Sequence, residues 1–212
     1  MLRFVHRQII RGLHAIQSHP PLPPNLESCH LDSVQLVTDR TELLRRMPKG
    51  GSVMECGVDE GKLSRMILEI TTPQKLIMVD TWSSSRFNES KLARIQEKFS
   101  GEIANGQLAI QRTTSVDALR QASDGSLDWV YIDTDHSYPT TYEELNVASK
   151  KIKPDGYICG HDYVTGSWLS YHRYGVVEAV NRFCVEQNWQ FAFLTHEADR
   201  HLSFALRAIK SD

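Results

Sequence analysis

The sequence predicts an α/β fold: a doubly wound, mostly parallel sheet with helices on both faces and an antiparallel C-terminal hairpin. Three observations predict it. Short apolar runs alternate with segments of helical periodicity from Ser52 to Gln187. The runs Leu76-Ile77-Met78-Val79 and Trp129-Val130-Tyr131-Ile132 are apolar without a break, as strands covered on both faces must be. Trp189–Leu194 and Ser203–Ile209 are joined only by a short polar connector, Thr195–Leu202. That connector is too short for a helical crossover, so the two strands pair antiparallel.

Composition narrows the class. The chain has 212 residues, 41% hydrophobic and 24% charged, which suits a globular protein with a sizeable core and excludes a largely disordered chain. No apolar run is long enough to span a bilayer, so no transmembrane segment is expected. A formal net charge of -2 provides no bulk attraction to nucleic acid. Cys29, Cys56, Cys159 and Cys184 form no CxxC pair, which excludes a disulfide scaffold and a zinc module and points to buried, reduced thiols in a cytoplasmic protein.

Residues 1–30 stand apart from a main domain over 31–212. Leu2, Val5, Ile9, Leu13 and Ile16 recur at helical spacing, with Arg3, Arg7, Arg11 and His14 opposite and no acid among them. This basic amphipathic helix has three readings: packing on its own domain or on a partner subunit of a homo-oligomer, lying on a membrane surface, or acting as a removable transit peptide. The prolines of His19–Pro24 then form a stiff, extended connector.

Within the main domain, Asp39 or Thr38 caps a helix bearing Leu43, Leu44 and Met47. Ser52–Cys56 is the first strand. Leu63, Met66, Ile67 and Ile70 mark a helix, and Leu76–Val79 the second strand. Lys91–Phe99 is helical and Leu108–Ile110 the third strand. Ser115 caps a helix with Val116, Leu119 and Ala122. Trp129–Ile132 is the fourth strand, Thr140–Ile152 a helix, Pro154-Asp155-Gly156 a turn, Tyr157–Cys159 the fifth strand and Gly175–Gln187 a helix.

In open α/β sheets the ligand lies outside the carboxyl ends of the strands, so the residues there carry the chemistry. Gly57 and Gly61 in Glu55-x-Gly57-x-x-x-Gly61 permit a tight bend and close approach of a ligand. Asp80, ending the second strand, is placed to accept hydrogen bonds from both hydroxyls of a ribose. Together they point to an adenosine-containing ligand.

The order Glu55-x-Gly57-x-x-x-Gly61, Val79-Asp80-Thr81-Trp82, Tyr131-Ile132-Asp133-Thr134-Asp135-His136-Ser137-Tyr138, Lys153-Pro154-Asp155-Gly156 and Gly160-His161-Asp162-Tyr163 resembles the class I S-adenosylmethionine-dependent methyltransferases, whose fold is Rossmann-like, and methyltransferase family 24 in particular. The likeness runs from about Thr38 to Phe183. Thr134 and Asp155 replace the usual glycines. The resemblance implies S-adenosyl-L-methionine as cofactor, with Glu55, Gly57 and Gly61 at its methionine part, Asp80 on the ribose, Thr81 and Trp82 beside ribose and adenine, Ser115 near the adenine, and Asp133 at the reacting end.

A hydroxyl acceptor must be held in line with the methyl group and deprotonated, and a divalent ion does both. Asp133 and Asp162 end strands expected to be adjacent, and the metal-dependent catechol-type O-methyltransferases place acidic ligands there. Asp135 is a further ligand candidate, Mg2+ the ion that oxygen donors suit, and His136 and His161, with Asp133, the candidate catalytic residues. Ser83–Phe87 and the aromatic stretch Tyr163–Tyr174 are expected to wall a pocket for a small-molecule acceptor, not nucleic acid. The competing readings are a nucleotide-dependent oxidoreductase, against which the missing third glycine counts, and a non-catalytic binding module of the same fold.

Overall fold

The structure, a computed structural model, describes residues 20–85, 88–167, 172–197 and 201–210. The expected helix over Met1–Ile16 lies outside them, as do Arg86, Phe87, Trp168 and Tyr171 of the expected pocket walls.

Five strands pair in parallel to make one side of the sheet: β2 (Ser52–Cys56), β3 (Lys75–Asp80), β4 (Leu108–Arg112), β5 (Leu127–Ile132) and β6 (Ile152–Gly160). The predicted hairpin forms from β9 (Trp189–Thr195) and β10 (Phe204–Ala208), and β10 also pairs antiparallel with β6. A strand not predicted from the sequence, β1 (Gln35–Val37), adds to β9 in parallel. The short strands β7 (Gly166–Ser167) and β8 (His172–Arg173) form a separate antiparallel pair, and the order of the main sheet is β1-β9-β10-β6-β5-β2-β3-β4. The chain winds one way from β2 to β4 and the other way from β5 to β6. The order therefore reverses between β2 and β5, and that crevice is where such a sheet binds its ligand.

Among the described residues, seven α-helices cover the sheet: α1 (Arg40–Arg46), α2 (Lys62–Thr71), α3 (Glu89–Lys98), α4 (Ser100–Ala104), α5 (Ser115–Gln121), α6 (Tyr138–Lys151) and α7 (Val176–Gln187). Asp39 caps α1, its carboxylate accepting from the Glu42 N–H at 2.8 Å. Thr114, not Ser115, caps α5, because Ser115 already stands at the first helical position. Ser137 caps α6, and Asn188, in the left-handed conformation, ends α7.

The apolar strands bury both faces, as their unbroken runs require. On one face Met54, Val130, Ile132 and Ile158 pack with Leu119, Leu145, Ala148, Val180 and Phe183. On the other, Val53, Met78, Trp129 and Tyr131 pack with Leu43, Leu44, Ile67, Leu92 and Ile95. Leu26 also packs against the first cluster. Cys56, Cys159 and Cys184 are buried thiols, and Cys29 is exposed.

Pro154-Asp155-Gly156 does not separate two elements. Leu127 pairs with Ile152 and Trp129 with Tyr157, so this stretch is an irregularity inside β6. Among the described residues, no helix is long and apolar enough to cross a membrane.

Candidate active site

The crevice between β2 and β5 is laced by backbone. The Gly57 N–H donates to the Val79 carbonyl at 2.9 Å, and the Asp133 N–H to the Cys56 carbonyl at 2.8 Å. Gly57 has φ +90°, and a Cβ there would overlap the Asp133 carbonyl oxygen. Gly61, at φ +67°, opens α2, and a Cβ there would stand 2.7 Å from the Phe99 ring. Both glycines are therefore required by the bend and its neighbours.

Asp80 holds the bend from the next strand. Its Oδ2 accepts from the Val58 N–H at 3.1 Å and its Oδ1 from the Trp82 N–H at 3.0 Å. A carboxylate has about four lone-pair directions, so each oxygen keeps one for a further donor. Thr81 is exposed beside it. Trp82 has φ +43° and is 1% exposed, so its indole packs in the core under α2 and α3 instead of lining the crevice.

Glu55 is fully buried at the end of β2, and neither carboxylate oxygen has a hydrogen-bond partner among the described residues. The Ser64 hydroxyl faces it without hydrogen-bond geometry. Burial pushes the carboxyl up to about 8, and the neighbouring charges of Asp133 and Asp80 add to this against Ser64 and Arg40.

Beyond β5 and β6 lies a cluster of imidazoles and carboxylates. His136 Nε2 is 3.1 Å from Asp133 Oδ1 and 3.0 Å from Asp162 Oδ2. Asp162 Oδ1 accepts from His161 Nδ1 at 2.8 Å and His201 Nδ1 at 2.7 Å. His136 and Asp162 both sit at positive φ, +60° and +58°, a conformation that aims their side chains at one another at some backbone cost. Burial opposes the charged form of His136, but hydrogen bonds to Asp133 and Asp162 and their charges outweigh it and lift the imidazole to about 10. Burial likewise disfavours the Asp162 anion, yet His136 and His161 hold it well below the usual carboxylate range. Asp162 is therefore an anion that only accepts. It orients the His161 and His201 rings through their Nδ1 atoms.

His136 is an imidazolium between two carboxylates and has no free lone pair. The His161 ring, 13% exposed, lines a small cavity of about 10 Å³ together with His136, Thr134, Ile132 and Leu145. The His201 side chain is 34% exposed, and the sequence reading missed it. The signal was there: an antiparallel β10 must begin where β6 ends, with Phe204 opposite Gly160, and this sets the residues just before β10 beside His161-Asp162.

Asp135 lies outside the cluster. It accepts from the Ser137 N–H at 2.9 Å and the Thr140 hydroxyl at 2.9 Å, so it braces the start of α6. Ser115 donates to Glu144, a buried carboxylate that also accepts from the Thr134 hydroxyl at 2.9 Å. Burial raises Glu144 to about 7, against the pull of those two hydroxyls. Tyr174, from the expected aromatic wall, lies over the cluster, with its ring 4.7 Å from His136 and 5.7 Å from His201.

A family model described as a methyltransferase domain matches residues 54–163. Among solved structures, the chain is 18% identical to a Sulfolobus solfataricus protein described as a type 11 methyltransferase, with a TM-score of 0.54 over 77% of this chain and 87% of that one. A Streptococcus mutans protein described as a methyltransferase, in complex with SAH, is 11% identical, with a TM-score of 0.58 over 80% and 95%. The B. subtilis tRNA methyltransferase TrmK is 10% identical, with a TM-score of 0.57 over 82% and 67%. No curated protein matches the chain. The matched segment takes in both sides of the switch point and just over half of the 212 residues, and the chain accordingly belongs to this methyltransferase family, as a class I S-adenosylmethionine-dependent enzyme.

Proposed function

We propose that the enzyme methylates a hydroxyl of a small-molecule acceptor and that a divalent ion such as Mg2+ assists. The observation that carries this reading is the convergence of Asp133, His136 and Asp162, whose donor atoms all lie within 4.8 Å of one another. Ligands held at right angles about 2.1 Å from an ion lie roughly 3 Å apart. The His136–Asp133 and His136–Asp162 separations of 3.1 and 3.0 Å match that spacing. Asp133 and Asp162 would hold the ion, with His136 as a third donor once its proton has left. Asp135, engaged in bracing α6, is not among the ligands. A divalent ion bound there lowers the pKa of an acceptor hydroxyl.

The chain's own residues do the rest. The glycine bend and Glu55 take the methionine end of the cofactor, and Asp80 takes the ribose hydroxyls. Tyr174, with the His172 ring 5.8 Å away, offers an aromatic face for a flat or sugar acceptor. His201, oriented by Asp162, receives the acceptor proton on Nε2.

The test is transfer of labelled methyl from S-adenosylmethionine to a panel of phenols, sugars and tRNA, with and without chelator. The reading expects transfer to small hydroxyl compounds, loss of turnover in chelator and recovery with Mg2+. Transfer to tRNA alone would overturn the acceptor class, and unchanged turnover in chelator would remove the ion.

A further inference from the structure

Arg40 opens α1 above the face of the sheet that carries Glu55. Glu55 on β2 is the register partner of Tyr131 on β5, so the two side chains stand next to each other on one face. The Arg40 guanidinium lies over the Tyr131 ring, 5.7 Å from its centroid. Its charge reaches the buried Glu55 carboxyl and opposes the effect of burial there.

Neither group has a matched partner. Both Glu55 oxygens are buried and lack a hydrogen bond among the described residues. The Arg40 side chain has its ring contact with Tyr131 but no ion pair among the described residues; only its backbone N–H meets a carboxylate, Glu197 Oε1 at 3.4 Å. A buried, unpartnered carboxylate is costly unless a ligand compensates it. Here it faces a half-buried guanidinium across a single aromatic ring, beside the bend that receives the cofactor. An acid and a base set apart on one wall are complementary to a zwitterion. A guanidinium pairs with a carboxylate through two parallel hydrogen bonds.

We propose that Arg40 binds the α-carboxylate of the cofactor's methionine moiety while Glu55 takes its ammonium group. Arg40 lies outside residues 54–163 that match the family, so this contact is supplied by α1, which precedes the matched segment. The assignment does not depend on the acceptor or on a metal.

Calorimetric titration with S-adenosylmethionine and with decarboxylated S-adenosylmethionine, which keeps the ammonium and lacks only the carboxylate, tests it. Wild-type protein prefers the intact cofactor. Arg40→Gln weakens intact cofactor about ten- to a hundredfold, the range of a charge-assisted pair, and leaves the decarboxylated form within about twofold. Arg40→Lys keeps part of the preference, because a single ammonium replaces the two-pronged donor. Thermal melting accompanies each variant, and Arg40→Met replaces Arg40→Gln if that variant does not fold. Equal weakening of both ligands would show a structural role and overturn the proposal. Unchanged binding of the intact cofactor, or wild-type protein that does not distinguish the two ligands, would also overturn it.

Discussion

Gly57 and the carbonyl of Asp133 touch across the crevice, so that a Cβ on one would occupy the oxygen of the other. The glycine bend after β2 and the end of β5 are thus one backbone junction. Gly57→Ala forces them apart at a position that also needs φ +90°. We expect a loss of roughly 2–4 kcal/mol in stability, from overlap plus left-handed strain, and loss of cofactor binding. Thermal melting and calorimetry check both; a variant that melts and binds like wild type would contradict this account.

Asp80 accepts from two amides and, on the reading proposed above, from the two ribose hydroxyls of the cofactor. Asp80→Ala frees the Val58 and Trp82 N–H groups and removes the ribose contact. Affinity for S-adenosylmethionine should fall at least tenfold, or about 1.4 kcal/mol, while Asp80→Asn, which keeps one acceptor oxygen, should lose less. Equal losses in the two variants would show that the anion, not the acceptor geometry, carries the contact.

Glu55 makes stability and binding depend on pH in a definite direction. Its folded-state value of about 8 lies above its ordinary 4.5. The associated stability is therefore complete below about pH 4.5 and is lost as the pH rises through 8. Glu55→Gln should leave the free protein's melting temperature nearly unchanged at pH 4.5 and raise it at pH 8. Binding the cofactor's ammonium favours the anion, so wild-type protein should release a proton on binding at pH 7 and Glu55→Gln should not. Calorimetry in buffers of different ionisation enthalpy reads that proton directly.

The imidazole cluster has its own window. His136 is raised from 6.5 to about 10, so its contribution is complete below pH 6.5 and lost as the pH rises through 10. Asp162 is depressed from 3.8, so its contribution is present above that value and lost as the pH falls below it. Both act in full between about pH 4 and 6.5. Asp162→Asn should cost about 2–4 kcal/mol at pH 6, as breaking a buried charge pair does, and distinctly less at pH 10. Denaturant unfolding at the two pH values checks this, and an equal cost at both would separate the cluster's stability from its charge.

Much of this was legible in the sequence because it rests on local pattern. The runs ending at Cys56, Asp80 and Ile132 are apolar enough to declare buried strands, and the connector after Thr195 is short enough to declare a hairpin. What was not legible depends on how elements meet. β1 has three residues with only Val37 buried, too little for a pattern to register. The resemblance sets Trp82 beside ribose and adenine, whereas its indole is buried among core side chains, a placement no motif signals. Asp135 and Asp133 are the same side chain two positions apart, and only the fold shows that one faces His136 while the other braces α6. His201 lies far from Asp162 in sequence, and their contact follows from strand register, not from any motif.

The slot that β10 fills has a consequence for biosynthesis. β10 sits between β6 and β9 but follows both in the chain, and the histidine that completes the cluster around Asp162 arrives only with it. While the ribosome has released only the residues through β9, the sheet has an open gap and Asp162 lacks its partner from the hairpin. A nascent chain stalled before β10 would lack both the strand between β6 and β9 and the His201 contact to Asp162. Such an intermediate exposes two unsatisfied strand edges, the kind of surface that folding helpers in the cell recognise.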